Sequence, residues 1–134
     1  MQFTILTLFL LLASSALHAQ NTKAKTSDDN RDQVFTKVET QSGYKLGRSA
    51  FMRYLQKSMR YPQDAREKNI SGKVVVKFIV TKLGTVSEVE AISGPDLLRA
   101  EAVRLVKESG EWIPANQCGR YVKSYKTEEI EFKL

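Results

Sequence analysis

The chain is short of the residues on which most catalytic and covalent devices depend. Its 134 residues hold one cysteine, Cys118, and one histidine, His18. A lone cysteine excludes an internal disulfide framework, and one of each excludes a clustered Cys/His metal site. His18 falls in an N-terminal stretch expected to be removed on export, and with it goes the imidazole that Ser-His and Cys-His nucleophile pairs need. Only carboxylate chemistry is left open, so no enzymatic activity, no cofactor and no metal is expected. Proline is equally sparse: Pro62, Pro95 and Pro114 all lie past residue 60, and none stiffens the segment before them. Basic residues exceed acidic ones by 21 − 15 = 6, a surplus that suits anionic partners and names none.

One long hydrophobic run is present, at residues 3–19 (FTILTLFLLLASSALHA), without a charge and followed at once by Gln20-Asn21-Thr22-Lys23. It sits at the lower length limit for a spanning helix and ends in small residues, the profile of a signal peptide cleaved after Ala19. An uncleaved inner-membrane anchor is the alternative. Residues 20–33 (QNTKAKTSDDNRDQ) have Ala24 as their only apolar residue and cannot bury surface, so a disordered linker is expected there. Residues 34–134 are then a single folded domain.

Within that domain, Ser49 precedes Phe51, Tyr54, Leu55 and Met59 at helical spacing, which reads as a capped amphipathic helix running to Tyr61-Pro62. Pro62 opens a short helical turn through about Lys68. The period changes after Gly72: Val74, Val76, Phe78 and Val80 alternate along one face of a strand. Lys82-Leu83-Gly84 is a hairpin-length connection to a returning strand over residues 86–93, where Val86 and Val89 have opposite parity and imply a bulge or a late start. Ser93-Gly94-Pro95-Asp96 starts a second helix with Leu98, Ala102, Leu105 and Val106 on its inner stripe. After a turn at Trp112-Ile113-Pro114, residues 121–134 form the last strand. The fold class that buries all these stripes is α+β: a three-stranded antiparallel sheet with two main helices packed on one face.

The order Val34-Phe35, Val38-Glu39, Tyr61-Pro62 with Ala65, Ile70-Ser71-Gly72-Lys73-Val74, Gly84-Thr85-Val86, Ser93-Gly94, Ala102-Val103 and Trp112-Ile113-Pro114 resembles the C-terminal domain of TonB, in the form common in Bacteroidetes. In this resemblance Tyr61, Pro62, Gly72, Gly84, Ala102, Trp112 and Pro114 are turn, cap and core residues. It also implies a function. Such a domain binds by strand addition, taking the TonB-box segment of an outer-membrane TonB-dependent transporter, or a segment of another envelope protein, along a sheet edge. The resemblance puts that edge on the last strand, with Tyr121, Lys123, Tyr125 and Thr127 flanking the partner and Val122 and Ser124 facing the helices. Membrane contact is then through the partner alone when the leader is removed, and nucleic acid is not a partner. Two departures stand out: Tyr44-Lys45-Leu46-Gly47-Arg48 replaces the family's usual Pro-Gly-Gly-like stretch, and residues 20–33 replace its long Pro-rich spacer, reaching only about 50 Å when fully extended.

Other candidates have plainer readings. Lys123, Lys126, Glu128, Glu129 and Glu131 could equally guard an ordinary edge against pairing. Cys118 reads as an incidental thiol. Glu88 and Glu90 share a strand face and could imitate an acid/base pair, but read as a solvated face. Arg53, Lys57, Arg60, Arg66 and Lys68 are interleaved with Asp64 and Glu67 and lack aromatic platforms for nucleic acid. Two functions remain: a periplasmic TonB-like binding module linked to energy-dependent transport, or a secreted structural domain that keeps the fold without energy transduction.

Overall fold

A computed structural model describes residues 32–134. The expected signal peptide and nearly all of the expected linker lie outside the described residues. In chain order the elements are β1 (Val34–Phe35), β2 (Gly43–Tyr44), α1 (Arg48–Ser58), α2 (Gln63–Glu67), β3 (Gly72–Val80), β4 (Val86–Ser93), α3 (Asp96–Lys107), β5 (Trp112–Ile113), β6 (Ala115–Gln117) and β7 (Arg120–Phe132).

The β-branched run of β3 makes it the central strand. Val74, Val76, Phe78 and Val80 are fully buried beneath the helices, and β3 pairs antiparallel with β4 on one side and β7 on the other. The β3–β7 register runs without a break from Gly72 opposite Phe132 to Val80 opposite Ser124. The expected three-stranded antiparallel sheet is present, with more strands attached to it. β1 lies parallel on the far side of β7, giving the order β1-β7-β3-β4, and β6 folds back on the start of β7. β2 and β5 form a separate ribbon, Gly43 opposite Ile113 and Tyr44 opposite Trp112. The stretch expected as a Trp-Ile-Pro turn is therefore a strand pair in its first two residues. Strands of two or three residues have too little length to show a period.

α1 lays Phe51 and Leu55, one turn apart, into the core. It begins one residue before Ser49, which therefore does not cap it: the N-cap is Gly47, at φ 85 and without a side-chain hydrogen bond. The helix also stops at Ser58, before Tyr61, because Met59 turns to extended backbone (ψ 128). Pro62 then caps α2, its carbonyl accepting from the Arg66 amide at 3.0 Å. α3 buries Leu98, Ala102, Leu105 and Val106 against the same sheet face. The parity conflict in β4 is resolved by a bulge: Ser87 faces Ile79 and Glu90 faces Lys77, so Phe78 alone opposes Glu88 and Val89, and Glu88 takes φ 48. Both Val86 and Val89 reach the core as a result.

The carbonyl end of α1 is tied to α3 by charge. Arg104 grips Glu101 with two nitrogens, at 2.8 and 2.6 Å, and donates to the Ser58 carbonyl at 2.7 Å. Glu101 in turn accepts from the Arg60 amide at 2.7 Å. Backbone groups left open where α1 ends thus find partners on the neighbouring helix.

Candidate functional site

β7 is long, and its two faces differ. Val122, Ser124, Glu128, Ile130 and Phe132 are buried on the helix side, while Tyr121, Thr127, Glu129 and Glu131 are exposed. Period-two alternation thus sends the odd-numbered side chains outward.

The four residues expected to flank a partner do not share one environment. Tyr121 opposes Asn116 of β6, and Lys123 opposes Val34 of β1, with its ammonium 3.7 Å from Asp32. Tyr125 opposes Ile79 and carries the Lys77 ammonium 4.3 Å above its ring, and Thr127 opposes Lys77. Beyond Ser124, which opposes Phe35, no described strand pairs the far side of β7. Of the expected edge at residues 121–127, β1 takes Lys123 and Ser124, and residues 125–132 meet no described strand on that side. Neither two-residue β1 nor three-residue β6 is long enough to show in sequence periodicity. Where β1 ends, a cleft of about 310 Å³ opens, lined by Thr36, Gln41, Tyr125, Lys126 and Thr127.

Glu128, one of the residues that could guard an edge, lies on the inner face, with its side chain 8% exposed. Arg48 reaches it at 3.2 Å and Lys126 at 3.5 Å, so two cations from different elements neutralise one buried carboxylate beside the free edge. Parity along β7 was the signal for this, since Glu128 is in step with Ile130 and Phe132. Lys126 also lies 5.9 Å from the centre of the Trp112 ring.

The motif residues surround the core. Tyr61 donates its hydroxyl to the Ile70 carbonyl and sets its ring edge-on to Phe132 at 6.0 Å. Gly72 starts β3 against Pro95, Ala102 is fully buried in α3, and Pro114 joins β5 to β6. Trp112 meets the rings of Tyr44, Phe51 and Phe78 at 5.4, 5.3 and 5.1 Å, and packs its backbone against Gly84.

Cys118 is exposed in the turn between β6 and β7, its thiol 3.6 Å from a Glu39 oxygen and its amide donating to the other at 3.1 Å. Glu88 and Glu90 are exposed on β4, and Arg53, Lys57, Arg60, Arg66 and Lys68 are exposed on and after α1 and α2. Among the described residues no group of three or more His, Cys, Asp or Glu could hold a metal.

Residues 57–134, more than half of the chain, match the family described as Gram-negative bacterial TonB protein C-terminal. No curated protein sequence matches. Among solved structures, the chain is similar to the Helicobacter pylori TonB C-terminal domain, at 19% identity and a TM-score of 0.49, over 63% of this chain and 77% of that one. It is also similar to the Pseudomonas aeruginosa TonB C-terminal domain, at 25% identity and a TM-score of 0.43, over 56% of this chain and 77% of that one.

Proposed function

The chain belongs to the family of Gram-negative bacterial TonB protein C-terminal domains, and from that membership we propose that it is a periplasmic binding module for outer-membrane TonB-dependent transporters or other envelope proteins. It takes an extended segment of the partner along the far edge of β7 at residues 125–132 and so contributes to energy-dependent transport. In this reading the apolar run at residues 3–19 is an export signal removed after Ala19. Among the described residues no helix is long and apolar enough to cross a membrane.

The observation that carries the proposal is the one-sided pairing of β7. Over residues 124–132 it is paired to β3, while beyond Ser124 no described strand takes up its other side. An edge of this kind offers main-chain donors and acceptors to an incoming strand, and neighbouring side chains select among partners. Tyr125 and Thr127 would flank the segment on one face of the sheet and Lys126 on the other. Glu129 and Glu131 limit indiscriminate pairing, and they would equally suit a structural domain that keeps the fold without transduction.

The test uses a synthetic TonB-box peptide titrated into isotope-labelled protein. Amide shifts should concentrate at residues 125–132, with modest affinity, because the free peptide must be ordered on binding. Two further peptides, N-methylated at odd or at even positions, keep the side chains and remove alternate backbone donors. Strand addition requires one of them to bind and the other to fail. Equal binding by both, or shifts confined to the helices, leaves the structural-domain reading as the better one.

A further inference from the structure

β1 lies on the same edge, immediately before the free part. It pairs through two residues only, Val34 opposite Lys123 and Phe35 opposite Ser124, in parallel register, against a mean strand length of about 5–6 residues. Neither Val34 nor Phe35 is buried, and neither belongs to the core. The rest of the hold is polar and exposed. Asp32 stands 3.7 Å from the Lys123 ammonium, Thr40 and Asn116 exchange backbone hydrogen bonds at 3.1 and 2.9 Å, and the Glu39 amide donates to the Gln117 side chain at 3.0 Å. Exposed contacts of this kind are individually weak. At Thr36 the chain leaves β7, and Thr36 and Gln41 line the cleft together with residues 125–127. A strand entering along residues 125–132 therefore runs into β1 and the strap that follows it.

We propose that β1 is an exchangeable resident strand: residues 32–36 occupy the β7 edge at Lys123 and Ser124 in the unbound protein, and a partner segment displaces them to pair with the whole edge from Lys123 onward. The inference rests on the strand-addition reading. The contact is autoinhibitory, since a partner's apparent affinity falls by the fraction of molecules in which β1 is docked.

Two variants of the full chain move that fraction in opposite directions. Val34→Gly/Phe35→Gly weakens β1. Val34→Cys/Lys123→Cys, with Cys118→Ser to remove the native thiol, locks it, because residues opposite each other on adjacent strands about 4.8 Å apart fall within the Cα separation a disulfide spans. Circular dichroism checks that both remain folded, and the locked protein is its own control when reduced. The first probe is a synthetic peptide of residues 32–41, which needs no known partner. It should bind the glycine variant about three- to tenfold more tightly than the parent, shift amides from Lys123 onward, and bind the locked protein only after reduction. Equal binding to the oxidised and reduced forms would overturn the proposal, whatever the glycine variant does. The second probe is the TonB-box peptide. If it binds the oxidised lock as well as the reduced protein, competition by β1 fails and strand addition along residues 125–132 stands. If residues 32–41 exchange as expected and the TonB-box peptide binds no form, the resident strand stands and the proposed function fails.

Discussion

The carbonyl oxygen of Trp112 lies 2.2 Å from the point a β-carbon on Gly84 would occupy, while the Trp112 amide donates to the Gly84 carbonyl at 2.9 Å. The tip of the β3–β4 hairpin is thereby clamped to β5 through backbone groups. Gly84→Ala has to hold φ +79 with a side chain and push that clamp apart, and should cost at least about 2 kcal/mol. Gly110→Ala is the comparison, with φ +93 and no atom within 4 Å of the added carbon, so it should cost only about 1 kcal/mol. Denaturant unfolding followed by circular dichroism measures both. Equal losses would mean that the hairpin can shift away from Trp112 without penalty.

A second prediction concerns the polar end of the same tryptophan. Its indole N–H donates to the Ser109 hydroxyl at 3.0 Å, which donates to the Val106 carbonyl at 2.7 Å, and both Ser109 and Trp112 are buried. Ser109→Ala leaves the indole donor without this partner and should cost about 1–3 kcal/mol. In a Trp112→Phe background there is no indole donor to strand, so the same serine change should cost clearly less. Additive losses in the double-mutant cycle would show that the hydrogen bond contributes nothing beyond packing.

The Arg104–Glu101 clamp gives the stability a pH dependence. Burial on its own would raise the Glu101 carboxyl, but hydrogen bonds from Arg104 and from the Arg60 amide, with the charges of both arginines, outweigh it and hold the group below the usual carboxylate range. A folded-state pKa below the unfolded one means that the unfolded chain binds the proton first as pH falls. The contribution is complete above the unfolded value of about 4.3 and is lost as pH falls through the folded value. Glu101→Gln should therefore be less stable than the parent at pH 7, by about 1–2 kcal/mol, with the gap closing as pH falls below the unfolded value. Urea titrations across that range measure it, and a gap that stays constant would remove the carboxylate charge from the explanation.

What the sequence made legible, and what it hid, follows the length of each element. Val74, Val76, Phe78 and Val80 announce β3, and Leu98, Ala102, Leu105 and Val106 announce α3, because each pattern repeats often enough to distinguish a period of two from one of 3.6. The opposed parities of Val86 and Val89 pointed to a bulge or a late start, and the structure has the bulge, at Glu88. Gly43–Tyr44 and Trp112–Ile113 are strands only because they meet each other across most of the chain, and two residues carry no period. β1 was hidden for the same reason: nothing in Val34-Phe35 reveals that it docks on Lys123 and Ser124. Helix boundaries failed where backbone conformation overrode composition, at Gly47 before α1 and at Met59 after it.

The last prediction tests why a carboxylate is tolerated inside β7. Glu128 is held by Arg48, whose own side chain is 71% exposed, and by Lys126. Either cation alone leaves Glu128 a partner, so Arg48→Ala or Lys126→Ala should each cost no more than about 1 kcal/mol. The double variant removes both and leaves a buried carboxylate unpaired, which should cost about 3–5 kcal/mol, well above the sum of the single losses. Glu128→Gln in that double background removes the stranded charge and should restore much of the lost stability, while in the parent it should cost little, because two cations then lose only one shared partner. Denaturant midpoints of the parent and these variants decide the matter. Simple additivity of the two cation losses, or no rescue by Glu128→Gln, would show that Glu128 is solvated well enough without them, and that its place on the inner face of β7 needs no electrostatic explanation.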